Sequence, residues 1–207
     1  MKEAMRTLSL MESLATWLEP RGIPYAIFGA QAARRYGVLR PTPDVDLLLG
    51  LQPSQRPILR AMLDDQGWHA RWWRLTLLNP HRRRGRVPGV LARDPASGVK
   101  IDIILSFMPY DREALGRAVR HPLGRVPVRF ASLNDVIVSK ILGGRAQDVK
   151  DVLQIMKKRN DLDGAYIQTW LKRLGEELGA PLLERWERLG EIRRGDASGL
   201  PPRGREA

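Results

Sequence analysis

Two aspartates at the start of an apolar run constrain the fold of this chain more than any other feature. Asp44-Val45-Asp46 leads directly into Leu47-Leu48-Leu49, a pattern typical of a buried strand. Side chains two residues apart in a strand share a face, so the two carboxylates would lie roughly 6.5–7 Å apart. Because unpaired anions are costly to bury, the pattern predicts a positive charge between them.

A third aspartate interrupts another apolar run. Lys100-Ile101-Asp102-Ile103-Ile104-Leu105 is typical of a central strand. If the two strands are neighbours, the three acids converge, and three oxygen donors suit Mg²⁺ or Mn²⁺. Two such ions about 4 Å apart catalyse in-line phosphoryl or nucleotidyl transfer. The alternative is purely structural: Asp44 caps a strand, Asp46 faces solvent and Asp102 pairs with an arginine.

A glycine turn precedes the first pair of acids. Phe28-Gly29-Ala30-Gln31 leaves a short apolar strand and enters a helix. Free backbone N–H groups and the helix dipole at such a place favour phosphate, and glycine lets a triphosphate approach the backbone closely. The same four residues are also compatible with an ordinary strand-to-helix turn.

The order of elements divides the chain into an α/β part and a helical part. Apolar periodicity and turn residues predict helix 4–19, strand 25–28, helix 30–36, strand 45–49, helix 54–66, strands 90–93 and 99–105 around a turn, helix 111–119, strand 126–130 and helices 132–142, 147–158, 163–178 and 181–189. We therefore expect an α/β domain at 1–130, a helical part packed on it at 131–190 and a mobile tail at 191–207.

The chain is strongly basic. Its 35 basic and 23 acidic residues give a net charge of +12, and arginine dominates the surplus because only seven of the bases are lysines. Arginine pairs bidentately with phosphate and carboxylate, so a polyanionic partner is one interpretation. Coding bias or the ion-pair networks of a thermophile are the other.

One stretch concentrates this charge. No acid occurs between Asp65 and Asp94, whereas seven arginines are interleaved there with three tryptophans. Because bases stack on aromatic rings and phosphates pair with guanidinium groups, an acceptor nucleic acid is predicted to contact this stretch. The candidate residues are Arg82, Arg83, Arg84 and Arg86. The alternative places the tryptophans in the core or a dimer interface and the arginines on a solvated loop.

Several classes of protein are excluded or disfavoured. The absence of cysteine excludes disulfide scaffolds, thiolate zinc sites and a cysteine nucleophile. No run of apolar residues is long enough to span a membrane, and the N-terminal stretch lacks the features of a signal peptide. We therefore expect a cytoplasmic protein without a membrane partner.

Together, these residues resemble the pattern of the nucleotidyltransferase superfamily, which includes DNA polymerase beta and the aminoglycoside nucleotidyltransferases. That pattern is an apolar residue with Gly-Gly or Gly-Ser, a spacer, two acids one residue apart and a third carboxylate on a later strand. Here Phe28-Gly29-Ala30 is followed by Asp44-Val45-Asp46 and then by Asp102. The resemblance implies an α/β (α+β) fold, with a nucleotidyltransferase-type mixed sheet flanked by helices and a C-terminal helical part.

A small bacterial group that contains the abortive-infection toxins is more similar still. Its R-x-T-x-D-x-D stretch matches Arg40 to Asp46, and its K-x4-R-x2-D-x2-D stretch matches Lys140 to Asp151. Arg40 and Thr42 are candidate supports of the carboxylates, or simply part of a proline-turned loop. The chain departs from the superfamily pattern at Ala30, because serine at that place would offer a hydroxyl to the terminal phosphates.

The resemblance implies a role for each acid. Asp44, Asp46 and Asp102 would bind the metal ions, Mg²⁺ or Mn²⁺, and Asp102 would also accept the proton of the attacking hydroxyl. Gly29 and the amides from Ala30 onward would cradle the β- and γ-phosphates.

The later stretch would hold the nucleotide. Lys140 would neutralise triphosphate charge, while Arg145, Asp148 and Asp151 would position Lys140 or the nucleotide. The alternative is a surface ion-pair ladder of Arg145, Lys150 and the two acids.

The resemblance therefore implies a Mg²⁺-dependent enzyme that moves a nucleoside monophosphate from a nucleoside triphosphate, such as ATP, to a hydroxyl of RNA or tRNA, a small molecule or a protein. A non-catalytic nucleic-acid-binding module on the same fold is the alternative, prompted by Ala30 and the net charge. A third hypothesis is an antitoxin or an oligomeric partner protein whose basic face binds an acidic protein. An antitoxin or a second copy of the chain is a further candidate partner.

Overall fold

The computed structural model describes residues 2–77 and 85–195, which form one mixed α/β unit. The helices in this range are α1 Lys2–Leu18, α2 Gly29–Arg35, α3 Arg56–Asp65, α4 Pro109–Gly116, α5 Leu133–Gly143, α6 Ala146–Lys158, α7 Gly164–Leu178 and α8 Leu182–Arg194. The strands are β1 Tyr25–Phe28, β2 Val45–Leu49, β3 His69–Leu77, β4 Gly85–Arg93, β5 Lys100–Leu105, β6 Val119–Leu123 and β7 Val126–Phe130.

The strands form one mixed sheet in the order β3-β4-β5-β2-β1-β7-β6. Strand β2 pairs in parallel with β5 and antiparallel with β1, so the two acid-bearing strands are neighbours at the centre. The hairpin β3–β4 extends the sheet on one side, and β7 with β6 extends it on the other. This sheet and its flanking helices confirm the predicted fold class.

The two faces of the central strands differ sharply. Val45, Leu47 and Leu49 of β2 are at most 1% exposed, and they share one core with Ile101 and Ile103 of β5 and with side chains of α1 and α3. Asp46 and Asp102 occupy the alternate positions and therefore point to the opposite face. The apolar face explains why these strands form, and the acids mark the face that the main core does not cover.

Four segments differ from the sequence predictions, and the first is β3, because no element is predicted over 69–77. Helix α4 ends at Gly116, and Val119 begins β6 instead of ending the predicted helix. β6 is an exposed edge strand that contains Pro122, so it lacks the apolar alternation that predicts a strand. Helix α8 continues to Arg194, into the segment predicted as a tail. None of the helices in the described ranges combines the length and apolar character that crossing a bilayer requires.

Candidate active site

A row of side chains crosses the centre of the sheet and brings two of the predicted acids together. Phe28 at the end of β1 is the register partner of Asp46 on β2, and Asp46 is the register partner of Asp102 on β5. Register partners project to the same face, and neighbouring strands lie about 4.8 Å apart. Asp46 and Asp102 are therefore adjacent on the face away from the main core.

The electrostatics of this pair show that each carboxylate lies in the field of another acid. Burial raises the pKa of the Asp46 carboxyl, and the Asp102 carboxylate raises it further; Lys140 and Arg145 only partly oppose this. Burial and the Asp44 carboxylate likewise raise the pKa of Asp102, against Lys100 and Arg145. No side chain in the described ranges forms an ion pair or donates a hydrogen bond to either carboxylate. Such a pair is suited to bind a cation or to accept a proton.

Gly29 lies directly against Asp46. Its φ of 61° is in the left-handed region, and a Cβ built on it would overlap Asp46 Oδ2 and lie 2.5 Å from Asp46 Cγ. Only glycine therefore fits between β1 and α2 while Asp46 keeps its position. Ala30 follows as the second residue of α2; it is 6% exposed and offers no hydroxyl.

Asp44 is positioned by a residue that the sequence analysis did not single out. The buried Gln31 side chain of α2 donates from Nε2 to the carbonyl oxygen of Thr42 at 2.7 Å and to that of Asp44 at 3.4 Å. These bonds fix the loop that enters β2. A glutamine two residues after Gly29 carries no sequence signal for this role, because the bond depends on the fold of a distant loop.

A buried cation lies behind the carboxylate pair. Lys140 of α5 is 3% exposed, and its Nζ donates to Asp148 Oδ1 at 2.9 Å and to Asp151 Oδ2 at 2.7 Å. Both acids are on α6, and burial raises the pKa of each. The hydrogen bonds from Lys140 and Arg145 to Asp148, and from Lys140 and Arg40 to Asp151, outweigh burial, so both pKa values are lowered. The acids therefore stay ionised and hold the ammonium group in place.

Two arginines complete this ion-pair network. Arg40, in the loop before β2, pairs with Asp151 through Nε at 3.0 Å and Nη2 at 3.0 Å. Arg145 pairs with Asp148 through Nε at 2.7 Å, while its side chain stays 78% exposed. Three cations and two anions leave the network with one net positive charge. The acids are buried, so this is not the surface ladder that was the alternative interpretation.

One cavity of about 470 Å³ connects these groups. Gly29, Asp46, Lys140, Arg145 and Asp148 line it, so five of the predicted site residues share one space. Phe28, Leu48 and Ile104 supply an apolar wall, and Phe107, Met108 and Tyr110 close another side. The cavity therefore contains the carboxylates of Asp46, Asp111 and Asp148, the cations Lys140 and Arg145, and apolar surfaces.

Of the four candidate residues for nucleic-acid contact, the structure describes only the backbone of Arg86. Arg82, Arg83 and Arg84 lie outside the described residues. Arg86 is in β4, paired in register with Thr76, and its side chain lies outside the description. Their predicted role stays a prediction.

Two solved structures resemble this chain over most of its length. The solution structure of the antibiotic-resistance factor ANT(2'')-Ia matches with a TM-score of 0.53 and 16% identity, covering 95% of this chain and 98% of that one. The crystal structure of the same factor in complex with adenylyl-2''-tobramycin matches with a TM-score of 0.51 and 17% identity, covering 86% and 98%. The chain has a nucleotidyltransferase fold. No model of a protein family matches the sequence, and no curated protein does either.

In this nucleotidyltransferase fold, the acids do not form a complete metal cage. No group of three or more acidic, histidine or cysteine side chains among the described residues lies close enough together to hold a metal ion by itself. The predicted convergence of three acids is thus incomplete: Asp46 and Asp102 are neighbours, whereas Asp44 is exposed before β2, and mutual repulsion opposes a tighter group. The pair nevertheless fits Mg²⁺, which one or two carboxylates usually hold together with substrate phosphates and water.

Proposed function

We propose that this protein is a Mg²⁺-dependent nucleotidyltransferase that moves a nucleoside monophosphate from a nucleoside triphosphate to a hydroxyl acceptor. One observation carries the proposal. Asp46 and Asp102 are register partners without a counter-ion of their own, and Asp46 shares a cavity with Gly29, Lys140 and Arg145. A plain structural site would pair these carboxylates with an arginine, as Asp151 is paired with Arg40.

The anionic half of the site would bind the metal. Asp46 and Asp102 would hold Mg²⁺ together with the phosphates, with Asp44 as a further donor. When bound, the ion supplies charge neutralisation at the transferred phosphoryl group. Asp102 is also suited to accept the proton of the attacking hydroxyl, because burial and Asp44 raise its pKa towards the range of a general base.

The cationic half would bind the triphosphate. Lys140 is held by two buried acids, so it presents a fixed positive charge and needs little reorganisation when the nucleotide binds. Arg145 is exposed at the rim and can reach a phosphate. The backbone at Gly29 offers a close approach beside Asp46, and the apolar surfaces of Phe28 and Leu48 can pack against a nucleoside. Backbone groups would then hold the terminal phosphates, which Ala30 cannot do because it has no hydroxyl.

A labelling experiment tests the proposal. The full-length protein is incubated with each labelled nucleoside triphosphate, Mg²⁺ and one of three acceptor pools: total RNA, total protein or a small-molecule extract. We expect label transfer by the unchanged protein and a loss of at least about 100-fold in D46N and D102N, since carboxylates that hold the metal are required for it.

A matched variant makes the result specific. Asp64→Asn removes one exposed carboxylate from α3, outside the site, and should transfer label at the rate of the unchanged protein. If the unchanged protein and D46N bind RNA equally and the unchanged protein transfers label to none of the pools, the proposal is wrong. The non-catalytic nucleic-acid-binding module then replaces it.

A further inference from the structure

A group of basic side chains that form no ion pair in the described ranges lies beside the carboxylate pair on the open part of the sheet. His69 and Arg71 of β3, Arg93 of β4 and Lys100 of β5 form this basic strip. All four side chains are exposed, so the strip faces solvent. It lies on β3, on β4 and at the first residue of β5, whereas the cavity with Lys140 and Arg145 is lined by β1, β2, the later part of β5 and the helices.

Strand register places the basic strip on the same face as the acids. Asp102 pairs with Leu91, and Leu91 pairs with Arg71, so Arg71 stands two strands away in the row of Asp46 and Asp102. At about 4.8 Å per strand, its backbone lies about 10 Å from that of Asp102.

The next row along the strands continues the strip. Lys100 pairs with Arg93, and Arg93 pairs with His69. Lys100 precedes Asp102 by two residues on the same face, about 7 Å away along the strand. Ala92 and Ile101, at the alternate positions, are buried in the core, which agrees with this assignment of faces.

No acidic side chain that the structure describes is within ion-pair distance of these basic side chains. In the part of the chain that the structure describes, none of the four forms an ion pair, and Arg93 only donates from Nη1 to the carbonyl oxygen of Gly98, at 2.7 Å. The positive charge of Lys100 reaches Asp102, since it opposes the rise in the pKa of that carboxyl. The strip is thus an uncompensated positive surface that begins at the carboxylates.

The acids stand between two cationic regions. On one side, the cavity presents Lys140 and Arg145, which the proposed function assigns to the triphosphate. On the other side, the basic strip leads away across β5, β4 and β3. An in-line displacement needs the acceptor and the leaving group on opposite sides of the phosphorus atom, and this arrangement provides two separate places for anions on either side of the acids.

We propose that the basic strip binds the sugar-phosphate backbone of a single-stranded nucleic acid whose terminal hydroxyl is the acceptor. This inference rests on the proposed function. Basic side chains one β-strand or two residues apart match a nucleic acid, which carries one phosphate charge in each nucleotide. An open sheet is a flat platform for such a polymer. An acidic protein offers carboxylates at no fixed spacing, so it is the less suitable occupant.

The transfer step then forms one bond to phosphorus and breaks one. The terminal hydroxyl oxygen of the strand forms a bond to the α-phosphorus of the nucleotide, and its proton passes to the Asp102 carboxylate. The bond from the α-phosphorus to its bridging oxygen breaks, and pyrophosphate leaves with the bonding electrons. The strand gains one nucleotide, and the phosphates behind its end stay on the basic strip.

Salt-dependent binding tests the strip without requiring catalysis. The probe is a short fluorescent single-stranded RNA of mixed sequence, titrated with the full-length protein over a series of salt concentrations and without nucleotide. Each lost phosphate pairing lowers the slope of log K against log salt by about 0.7 for a single strand. The triple variant R71Q/R93Q/K100Q should therefore lower the slope by about 2 and weaken binding at least about tenfold at physiological salt.

Two control variants separate local contacts from net charge. R60Q/K157Q/K172Q removes the same charge from exposed positions on α3, α6 and α7, and its slope should stay within about 0.7 of the unchanged protein. R71K/R93K keeps the charge of the strip and should keep most of the slope. Thermal unfolding of each variant shows whether it is folded.

The outcomes distinguish this inference from the proposed function. An unchanged slope in a folded R71Q/R93Q/K100Q overturns the strip even if label transfer to RNA is intact. Equal losses in the strip and control variants overturn it as well, because net charge then explains binding. A lower slope together with an absence of transfer supports the strip and counts against the proposed function. Tighter binding of polyglutamate than of RNA would identify an acidic protein as the occupant.

Discussion

Replacement of Gly29 by alanine is the sharpest test of the site, because one methyl group affects two separate properties. The left-handed φ of 61° is unfavourable for alanine by about 1–2 kcal/mol. In addition, the new Cβ overlaps Asp46 Oδ2 and lies 2.5 Å from Asp46 Cγ, so the Asp46 side chain must move. Asp46 has no room to keep its place beside Asp102.

Gly22 provides a matched control for the first property. Its φ is also 61°, and a Cβ built on it meets no atom within 4 Å. Gly22→Ala and Gly29→Ala should therefore both lower the free energy of unfolding by about 1–2 kcal/mol. In a chain of this length that corresponds to a fall in Tm of about 2–8 °C.

The second property should separate the two variants. A displacement of about 1 Å at a reacting group can cost about 100-fold in rate. We expect Gly29→Ala to lose label transfer by at least that factor and to lose the stabilisation by nucleoside triphosphate with Mg²⁺, which reaches about 2.7 kcal/mol at a ligand concentration 100 times Kd. Gly22→Ala should keep both.

Thermal unfolding with and without nucleotide, followed by the transfer assay, gives all of these values. The reasoning is refuted if Gly29→Ala transfers label like the unchanged protein. It is equally refuted if Gly22→Ala loses transfer to the same degree, since strain alone would then account for the effect.

Three further changes should alter stability or binding in defined directions. Asp46→Asn should raise the free energy of unfolding at neutral pH by about 0.5–2 kcal/mol, because the raised pKa of Asp46 in the folded state makes its charged form costly. Urea titrations at neutral and acidic pH measure this gain, which should vanish below the ordinary pKa of Asp. Asp151→Asn should lower the free energy of unfolding by about 3–5 kcal/mol at neutral pH, since the substitution leaves Lys140 with one acid. The loss should become smaller as the pH falls through the lowered pKa of Asp151, and an equal loss at both pH values would contradict this. Gln31→Ala should lower the free energy of unfolding by about 1 kcal/mol, because the Thr42 carbonyl loses its hydrogen-bond donor. It should also reduce the rise in Tm that nucleotide and Mg²⁺ produce, and an unchanged rise would show that the loop keeps its position without Gln31.

Local sequence signals were sufficient for the central part of the fold. The strands 25–28, 45–49 and 126–130 are apolar runs bounded by turn residues, and the structure has them at these positions. The helix predicted over 132–142 is capped by Ser132, whose Oγ accepts the hydrogen bond from the Asp135 backbone N–H at 3.3 Å. Such features depend on neighbouring residues, so the sequence carries them directly.

The site was predictable only in part, for a physical reason. An acid inside an apolar strand indicates a special position by itself, so Asp46 and Asp102 could be paired before their register was known. The bond of Gln31 to the loop before β2 and the placement of Arg71 in the row of Asp102 depend on contacts between distant segments. β6 was missed because an exposed edge strand needs no apolar pattern to pair with its neighbour.

The origin of the two halves of the site limits how the chain can be divided. Both carboxylates belong to strands in the first 105 residues, whereas Lys140 and Arg145, the cations that line the cavity, come from α5 and the residue before α6. A chain cut after β7 would expose two mutually repelling anions and lack both of those cations. Under the proposed function, exchanging these helices for others of the same fold should change the affinity for the triphosphate and leave the acid pair intact.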